Sequence, residues 1–444
     1  MSARQPDRLP ATFWRLWWAG GISNLGDGMF AVALPLLAAR ITDDRLSIGL
    51  IGTFFTIPWL LFAVPVGVLI DRVDRRKVLV LADVCRGGLV GGLALVAAFS
   101  EVQLWMLWVL AFGLGVGEVL FDNTSQAILP AVVPGEQLER ANGFFYATEV
   151  ATNTFLGLPL GSVLFGFAVW LPFGIDAASF VAAALLAATL RGSFRPAAGG
   201  PPTGSMVDDM REGFRWLRGH SLLRRLTVAV ALMNLGFAAT QATFVLFALQ
   251  ELDIRERYIG PLVAIVGVGS LLAGMAGGRL VDRSGRRAAL LVAGLVPVFT
   301  CAAMGLLPVT WWVIAMSTVQ ALTTTIWSIV TVSLRQQIVP DALFGRVNSV
   351  YRWVSTGSMP LGALVGGLVA KFYGLRAPYF AAAAVLLLGY LVVAGPISRE
   401  VTDVPRPAAG TTTGTTTGAT TGAAAGDADD TPRFTERDPL DDLL

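Results

Sequence analysis

Long apolar stretches separated by short charged connections run along most of this 444-residue chain. A helix of about 20 apolar residues crosses the hydrocarbon core of a bilayer, which is about 30 Å thick. Only 14% of the residues are Asp, Glu, Lys or Arg, against about 25% in soluble proteins. The sequence therefore predicts an all-α membrane protein with twelve transmembrane helices, at residues 13–40, 47–70, 77–99, 103–130, 142–166, 170–190, 223–249, 259–281, 288–307, 311–335, 346–370 and 377–396.

Arginine and lysine residues divide the connections between these spans into two kinds. Residues 71–77, the segment 191–225 and residues 282–287 are rich in positive charge and lie on one side, whereas the alternate connections carry fewer such residues. Positively charged connections are retained in the cytoplasm during membrane insertion. We therefore expect a multi-pass protein of the cytoplasmic (inner) membrane with both termini in the cytoplasm.

The long connection after the sixth span separates two halves of the chain. We expect an N-terminal six-helix bundle at residues 1–190, a cytoplasmic linker at 191–222, a C-terminal six-helix bundle at 223–396 and a disordered cytoplasmic tail at 397–444. The tail is rich in Thr, Gly and Ala, and it has too few apolar groups to offset the entropy of ordering.

Part of the linker carries an amphipathic pattern. One face of a helix would collect four of its apolar residues, Met206, Met210, Phe214 and Leu217, with arginines around them. This pattern favours a helix that lies on the cytoplasmic surface of the membrane. An ordinary solvated linker is the alternative.

Short sequences recur in the same order in both halves. "GVLIDRVDRR" at residues 67–76 returns as "GRLVDRSGRR" at 278–287, and "NLG", "VP" before Arg and Asn, and "PLG" also recur, with offsets of 201 to 211 residues. Each match is short, but collinear matches at a nearly constant offset indicate a duplication. The chain is therefore predicted to consist of two pseudo-symmetric six-helix halves with a substrate site between them.

The repeated charged segment has the pattern Gly-x-x-x-Asp-Arg-x-x-Arg-Arg and resembles the signature loop of the major facilitator superfamily. Further segments resemble its drug:proton antiporter branch, which includes macrolide and enterobactin exporters: "SNLGDGMFAVALPLL", "VPGEQLERANG", "GLPLGS" and "IDAASF". The first copy of the loop departs from the usual turn because it has Asp74 where the second has Gly285. "GLPLGS" matches the antiporter pattern only in part.

This resemblance implies the fold of that superfamily and a secondary active transporter. Such a protein exports amphipathic small molecules, for instance drugs, natural products or siderophores, by proton antiport with alternating access. Its partners would be the substrate, protons and the lipid bilayer, with the protein acting as a monomer. Two alternatives stay open: a proton-coupled uptake symporter for a small solute, and a membrane scaffold that transports nothing.

The repeated loop suggests a cytoplasmic latch between the two halves. Glycine lets a helix of the other half approach closely, a carboxylate at the end of a span faces the N-terminus of an opposing helix, and arginines pair with acidic groups of neighbouring spans. The alternative is that the charged residues of the loop only fix the orientation of the spans in the membrane. We assign to the latch Gly67, Asp71, Arg72, Arg75, Arg76, Gly278, Asp282, Arg283, Arg286 and Arg287, and with them, from their apparent depth, Arg86 and Asp122.

Ionisable residues inside the predicted spans are candidates for function because burying a charge near the bilayer centre costs several kcal/mol, roughly 3 on insertion scales. Asp27 is the deepest of them and follows Asn24 in the first span, and its counterpart in the second half is Phe237. Each of these groups can carry protons, bind substrate or simply pair with a buried partner. The candidates for proton coupling or substrate binding are Asp27, Asn24, Glu118, Glu149 and Asn153, whereas Asp176 is expected at the surface or in a helix cap.

Several classes of function lack their sequence signatures. The chain has no Walker-type phosphate loop, no arrangement typical of a catalytic triad, and a single histidine, His220. We therefore expect no enzymatic activity, no cofactor, no metal site and no nucleic-acid partner.

Overall fold

The computed structural model describes residues 9–70, 73–134, 137–190, 194 and 206–400. Within these ranges all regular secondary structure is helical, and twelve segments are long and apolar enough to cross a membrane. The first half contains α1 Ala11–Ile41, α2 Arg45–Ile70, α3 Arg75–Phe99, α4 Leu104–Val132, α5 Leu138–Glu149, a π-helical segment Val150–Gly157, α6 Leu158–Phe167 and α7 Trp170–Ala188.

The second half follows a helix in the linker. That helix is α8 Met206–Gly219, and the remaining elements are α9 Ser221–Gln241, α10 Phe244–Gln250, a 3-10 turn Glu256–Tyr258, α11 Ile259–Ser284, α12 Arg286–Leu306, α13 Thr310–Ile338, α14 Asp341–Gly357, α15 Met359–Tyr373 and α16 Ala377–Glu400. The prediction of an all-α protein with twelve spans is confirmed.

The helices of the two halves pack in the same pattern. In the first half α7 packs against α1 and α3, and α4 packs against α2 and α3. In the second half α16 packs against α9 and α12, and α13 packs against α11 and α12. These pairs occupy corresponding positions in the order of spans, so the duplication seen in the sequence extends to the packing.

The repeated "PLG" sequence marks an interruption of the fifth span and of the eleventh. Pro159 lies in the first turn of α6 and Pro360 in the first turn of α15, the part of a helix where proline is favoured. A Cβ at Gly161 would lie 2.6 Å from the Cα of Met29 in α1, and one at Gly362 would meet the carbonyl of Leu235 in α9. The glycines therefore let each broken span approach the first span of its own half.

The linker helix α8 packs against α14 of the second half. A Cβ at Gly213 would lie 2.6 Å from the carbonyl oxygen of Arg346, and Arg346 Nη1 lies 2.6 Å from Glu212 Oε2. Leu217 is buried while Phe214 is exposed, so these two residues of the predicted apolar stripe face different surroundings. The position of this helix on the membrane stays a prediction, and the predicted disordered tail lies outside the described residues beyond Glu400.

Two sides of the bundle are distinguished below. The loop-repeat side carries the two charged segments that begin at Gly67 and Gly278, and the opposite side carries the other ends of the same helices. Contacts between the halves are concentrated toward the opposite side, where α2 packs on α15, and α6 packs on α11 and the 3-10 turn. Two glycines, Gly49 and Gly367, meet there, with a Cβ at the first only 2.8 Å from the Cα of the second.

Candidate functional site

The centre of the first half contains an ion pair between α1 and α3. Arg86 Nη2 lies 2.6 Å from Asp27 Oδ1, and the hydroxyl of Ser23 donates a hydrogen bond of 3.4 Å to Asp27 Oδ2. The Arg86 side chain is only 3% exposed, whereas 29% of the Asp27 side chain remains accessible. The pair therefore has one buried partner and one partner that solvent or a substrate can reach.

Arg86 is held by α3, α4 and α7 as well as by Asp27. Asp83 Oδ1 lies 3.6 Å from Arg86 Nη1, one turn away on α3, and is itself buried. The guanidinium carbon lies 4.2 Å from the ring centre of Phe180 and 5.4 Å from that of Phe121. A Cβ at Gly117 of α4 would lie 2.5 Å from Arg86 Cγ, so the arginine stem crosses α4 where no side chain stands.

Several polar atoms at this centre lack hydrogen bonds among the described residues. They are both carboxylate oxygens of Asp83, the Nε and Nη1 atoms of Arg86 and one carboxylate oxygen of Asp176. Buried polar groups are usually satisfied, and each exception calls for a physical account. Here the unsatisfied atoms belong to groups of opposite charge within one cluster, so alternative pairings are available without large movements of the helices.

Four further carboxylates surround this pair. Glu118 interacts electrostatically with Asp122, Asp27, Arg86 and Glu149, and Asp176 interacts with Asp27 and Arg86. Together with Asp27 and Asp83 they form what we call the carboxylate cluster, whose members come from α1, α3, α4, α5 and α7: Asp27, Asp83, Glu118, Asp122, Glu149 and Asp176.

The second half supplies one positive charge near this cluster. Arg352 of α14 interacts electrostatically with Asp122, donates a hydrogen bond of 3.4 Å to Gln126 Oε1 and lies 5.8 Å from the ring centre of Trp59. This contact joins the two halves between mid-depth and the loop-repeat side. A change of charge at Asp122 therefore acts directly on a residue of the other half.

Two residues lie elsewhere than the sequence suggested. Arg86 was placed in the layer of the loop arginines, but it lies about 16 Å along α3 from Arg75 at 1.5 Å per residue, near the middle of the helix, and it pairs with Asp27; its role in the latch stays a prediction. Asp176 was expected at the surface or in a cap, but it is fully buried. Asp176 packs against Gly26 of α1, where a Cβ would clash with its carboxylate.

The remaining predicted site residues lie around the cluster. Asn24 lies one turn from Asp27 in α1 and is partly buried, as are Glu118 and Asp122 in α4. Glu149 ends α5 and is exposed, and the π-helical segment begins directly after it. Asn153 lies in that segment, and its backbone carbonyl abuts Gly28 of α1 so closely that a Cβ there would clash.

The first copy of the predicted latch is described in part. Asp71 and Arg72 lie outside the described residues, and so do the surroundings of Gly67. Arg75 donates to the backbone carbonyl of Ala127 (2.9 Å), and Arg76 to that of Leu190 (3.0 Å), just beyond α7. Both of these acceptors are backbone carbonyls of the same half.

The second copy of the latch is open. A Cβ at Gly278 would meet no atom of the described residues within 4 Å, so within this part of the chain the predicted close approach of another helix is not made. Asp282, Arg283 and Arg287 are exposed, and Arg286 donates to Gln337 Oε1 of its own half (2.9 Å).

The turn of the two copies differs for a local reason. Gly285 adopts a φ of +80°, which only glycine adopts readily, whereas Asp74 has a φ of −67°. The Asp74 carboxylate accepts a hydrogen bond of 3.0 Å from the backbone N–H of Arg76 and thereby caps α3. The departure at Asp74 therefore replaces a glycine turn by a capped helix start.

Two ion pairs join the halves on the opposite side. Arg40 at the end of α1 makes a two-pronged contact with Glu256, with Nε 2.8 Å from Oε1. Lys371 Nζ of α15 lies 3.2 Å from Asp44 Oδ1, and Arg45 donates to the carbonyl of Ala370. The hydrogen bond from Ser47 and the nearby Lys371 hold the pKa of Asp44 below its ordinary value.

The sequence matches the family of transmembrane secretion effectors of the major facilitator superfamily over residues 5–403. The chain belongs to this family. That span includes every element of both halves and the whole carboxylate cluster. The recognition made from the repeated loop is confirmed.

The similar proteins include exporters. Macrolide efflux protein A of Streptococcus pyogenes is 23% identical over 370 residues, which cover 82% of this chain and 90% of that protein. Enterobactin exporter EntS of Escherichia coli is 24% identical over 380 residues, which cover 84% and 88%. A bacterial homologue of the human lysosomal transporter Spinster, in an inward-facing and unoccupied conformation, has a TM-score of 0.70 at 15% identity and covers 89% of this chain and 98% of that chain.

This secretion effector is therefore a multi-pass membrane transporter of small molecules and not an enzyme. Three features of its site escaped the sequence: the burial of Asp176, the role of Gly117 in making room for Arg86, and the π-helical segment. The sequence signal for the second and third was the set of glycines in the fourth and fifth spans, which mark close approaches once the neighbouring helix is known.

Proposed function

We propose that this transporter exports amphipathic small molecules in exchange for protons that bind to the carboxylate cluster. The observation that carries the proposal is the charge of the cluster, which has six carboxyl groups around one arginine, Arg86. All six belong to the first half of the chain.

A membrane interior does not hold such an excess of negative charge without compensation. With every carboxyl group ionised, the six carboxylates and Arg86 would carry a net charge of −5, or −4 with Arg352 included. Burial of unpaired charge costs several kcal/mol per ion. Glu149 is exposed and Asp27 is partly accessible, so solvent compensates part of this charge. Binding of protons or of a cation would compensate the rest, and an exporter of cationic compounds that works by proton antiport binds the two in turn.

Arg86 can couple the binding of a proton to a movement of the helices. When a proton binds Asp27, the attraction between Asp27 and Arg86 falls, and Arg86 remains held by Asp83 3.6 Å away. The link between α1 and α3 then weakens, which frees α1 to move relative to the rest of its half. Loss of the proton restores the link, so protonation and the position of α1 become coupled.

The same cluster suggests the class of substrate. An ionised Asp27 attracts a cationic or hydrogen-bonding group, and the surrounding spans are apolar and aromatic. Substrates that combine a polar or positively charged group with an apolar body fit this surface. The macrolide and enterobactin exporters that the chain is similar to are the reason to begin a screen with such compounds.

We retain the latch as part of the proposal, with the loop-repeat side facing the cytoplasm. The open surroundings of Gly278 fit a conformation in which the latch is released and the opposite side is held together. Asp71→Asn should then impair transport strongly while insertion stays normal, and Asp282→Asn should have the milder effect. Transport by Asp71→Asn at the wild-type rate and expression level would remove the latch from the proposal.

The test of export begins with a host that lacks its own exporters. Cells with and without the chain are compared for growth on a panel of macrolides, siderophores and cationic dyes, with Asp27→Asn as the inactive control. A compound that the chain excludes is then followed in everted membrane vesicles. We expect accumulation that needs a proton gradient and stops with a protonophore, and uptake in the reverse direction or accumulation without the gradient would contradict the proposal.

A further inference from the structure

A groove on the outer surface of the first half is not used by the transport mechanism. It runs along α3 beside the end of α7 at the loop-repeat side, has a volume of about 350 Å³ and is lined by Arg76, Lys77, Val80, Leu81, Val84 and Ala188. Two cationic residues therefore stand at one end, and apolar residues line the rest. The volume lies within the range of small-molecule sites, about 300 to 1,000 Å³.

The groove lies on the exposed side of α3, a helix whose other side packs on α4 and α7, and in a membrane-spanning helix we expect the exposed side to face the lipid. Leu81 is 63% exposed and Val84 53% exposed, on a helix that is long and apolar enough to span the membrane. Lys77 is exposed and has no partner among the described residues, and Arg76 uses Nη1 to hold the carbonyl of Leu190. One free positive charge thus lies at the level where phospholipid headgroups lie.

The same face of α3 continues past the groove with two exposed glycines, and we call this open strip of the helix surface the channel. Gly88 and Gly92 follow Val84 at intervals of four residues, and a Cβ built at either glycine would meet no atom within 4 Å. The distance from Leu81 to Gly92 along the helix is about 16 Å at 1.5 Å per residue. One leaflet of the hydrocarbon core is about 15 Å deep, half of the full thickness, so the channel has the length of an acyl chain.

The second half does not repeat this surface. With the offset of 211 residues between the two charged segments, the counterpart of Lys77 is Ala288 and that of Gly88 is Phe299, which is 64% exposed. Arg287 is the counterpart of Arg76, so the equivalent face of α12 keeps one of the two cations but lacks the second cation and the open position at Gly88. If the duplicated fold itself required this surface, both halves would have it, so the surface points to a role specific to the first half.

We propose that the groove along α3 binds one anionic phospholipid, with its phosphate against Lys77 and Arg76 and an acyl chain along Leu81, Val84, Gly88 and Gly92. Basic pockets beside membrane helices recognise anionic headgroups by charge, and the apolar channel adds contact area that a free anion lacks. The bound lipid would tie α3 to the leaflet next to the first charged loop.

The experiment is native mass spectrometry of the full-length protein released from detergent with equal amounts of phosphatidylglycerol and phosphatidylcholine. We expect one tightly retained phosphatidylglycerol on the wild type. Lys77→Ala should weaken its retention about fivefold, the effect of one basic residue near an anionic surface. Lys77→Arg should retain it.

Two further variants distinguish lipid binding in the groove from a general effect of positive charge and from misfolding. Gly88→Phe copies the second half and blocks the channel without changing charge, at an exposed position where a Cβ meets no atom within 4 Å, and it should lose the retained lipid. Arg287→Ala removes an exposed cation of the second loop and should retain it. Equal retention of the two lipids, or wild-type retention by both Lys77→Ala and Gly88→Phe at a normal gel-filtration profile, would overturn the proposal.

Discussion

Arg86 Nη2 lies 2.6 Å from Asp27 Oδ1, and this contact joins the middle of α3 to the middle of α1. Among the described residues of the first half, Arg86 supplies the positive charge within the carboxylate cluster, and it also faces Asp83. The position of this arginine therefore decides which carboxyl groups of the cluster are compensated. The proposed coupling between protons and movement of the helices depends on it.

Removal of Arg86 should destabilise the protein more than removal of Asp27. Arg86→Met leaves Asp27 and the buried Asp83 without a positive partner, and we expect a loss of about 3 kcal/mol, the lower end of the range for breaking a buried ion pair, because Asp27 is partly accessible. Asp27→Asn leaves Arg86 paired with Asp83 and should cost less. Thermal unfolding in detergent measures both.

The double variant Asp27→Asn with Arg86→Met is the control for this pair. Its loss of stability should be smaller than the sum of the two single losses, since the second substitution removes a charge that the first left unpaired. Additive losses would show that the two side chains do not interact in the folded protein.

Gly117 should be intolerant of any side chain. A Cβ there would lie 2.5 Å from Arg86 Cγ, and the arginine cannot yield easily because Asp27 and Phe180 hold its guanidinium group. We expect Gly117→Ala to lose about 1 to 3 kcal/mol of stability, as overpacked sites do, and to impair transport.

Gly88→Ala is the matched control. It lies in the neighbouring helix α3, has nothing within 4 Å of its new Cβ and should be neutral or slightly stabilising because alanine favours a helix. If Gly117→Ala behaved like Gly88→Ala in both stability and transport, the close contact of Arg86 with α4 at Gly117 would contribute to neither.

The ion pair between Arg40 and Glu256 should favour closure of the opposite side. Partly exposed pairs contribute about 1 kcal/mol or less, so Glu256→Gln should shift the balance of conformations by a few-fold without unfolding the protein. Spin labels at Ser100→Cys and Leu307→Cys, one in each half, with Cys85 and Cys301 replaced by alanine, report the separation of the two ends. We expect Glu256→Gln to add longer distances between the two labels to the measured distribution.

The exchanged pair tests the direct contact. Arg40→Glu with Glu256→Arg should return the distances toward those of the wild type, because the attraction is restored with the charges reversed. A distance distribution that does not respond to Glu256→Gln would show that the pair does not act in closure.

Acidification should release the neighbouring pair of Asp44 and Lys371 only at low pH. The pKa of Asp44 is lowered in the folded protein, so its contribution is fully present above the ordinary carboxyl pKa, about 3.9, and is lost as the pH falls through the lowered value. Between about pH 5 and pH 8 the titration of Asp44 should therefore not change the label distances, and Asp44→Asn should show the same pH response as the wild type over that range. A pH response that disappears in Asp44→Asn would make this residue a sensor.

The sequence contained enough information for the twelve spans and the two halves, because span length and the repeated loop are local or collinear signals. The pairing of Asp27 with Arg86 could not be predicted from such signals. Depth along a span can be counted, but the pairing of α1 with α3 and α7 depends on how the helices are arranged around one another. For that reason Arg86 was assigned to the wrong layer and Asp176 to the surface.

The glycines illustrate the same limit. Gly117 and Gly88 look alike in the sequence, each within a small-residue stretch of an apolar span. Only the structure shows Arg86 lying across the first and open space beside the second. A residue without a side chain has a role that is defined by its neighbours, and the neighbours come from tertiary packing.

The most direct test of the central claim is the number of protons released when substrate is added to the purified protein in weakly buffered detergent solution. The substrate is a compound identified by the growth panel, and gel filtration confirms that each variant is folded. We predict proton release by the wild type and by Glu118→Gln, and its loss in Asp27→Asn, because the substrate displaces the proton from Asp27. Unchanged release by Asp27→Asn, with release lost in Glu118→Gln, would contradict this account and move the exchange to Glu118.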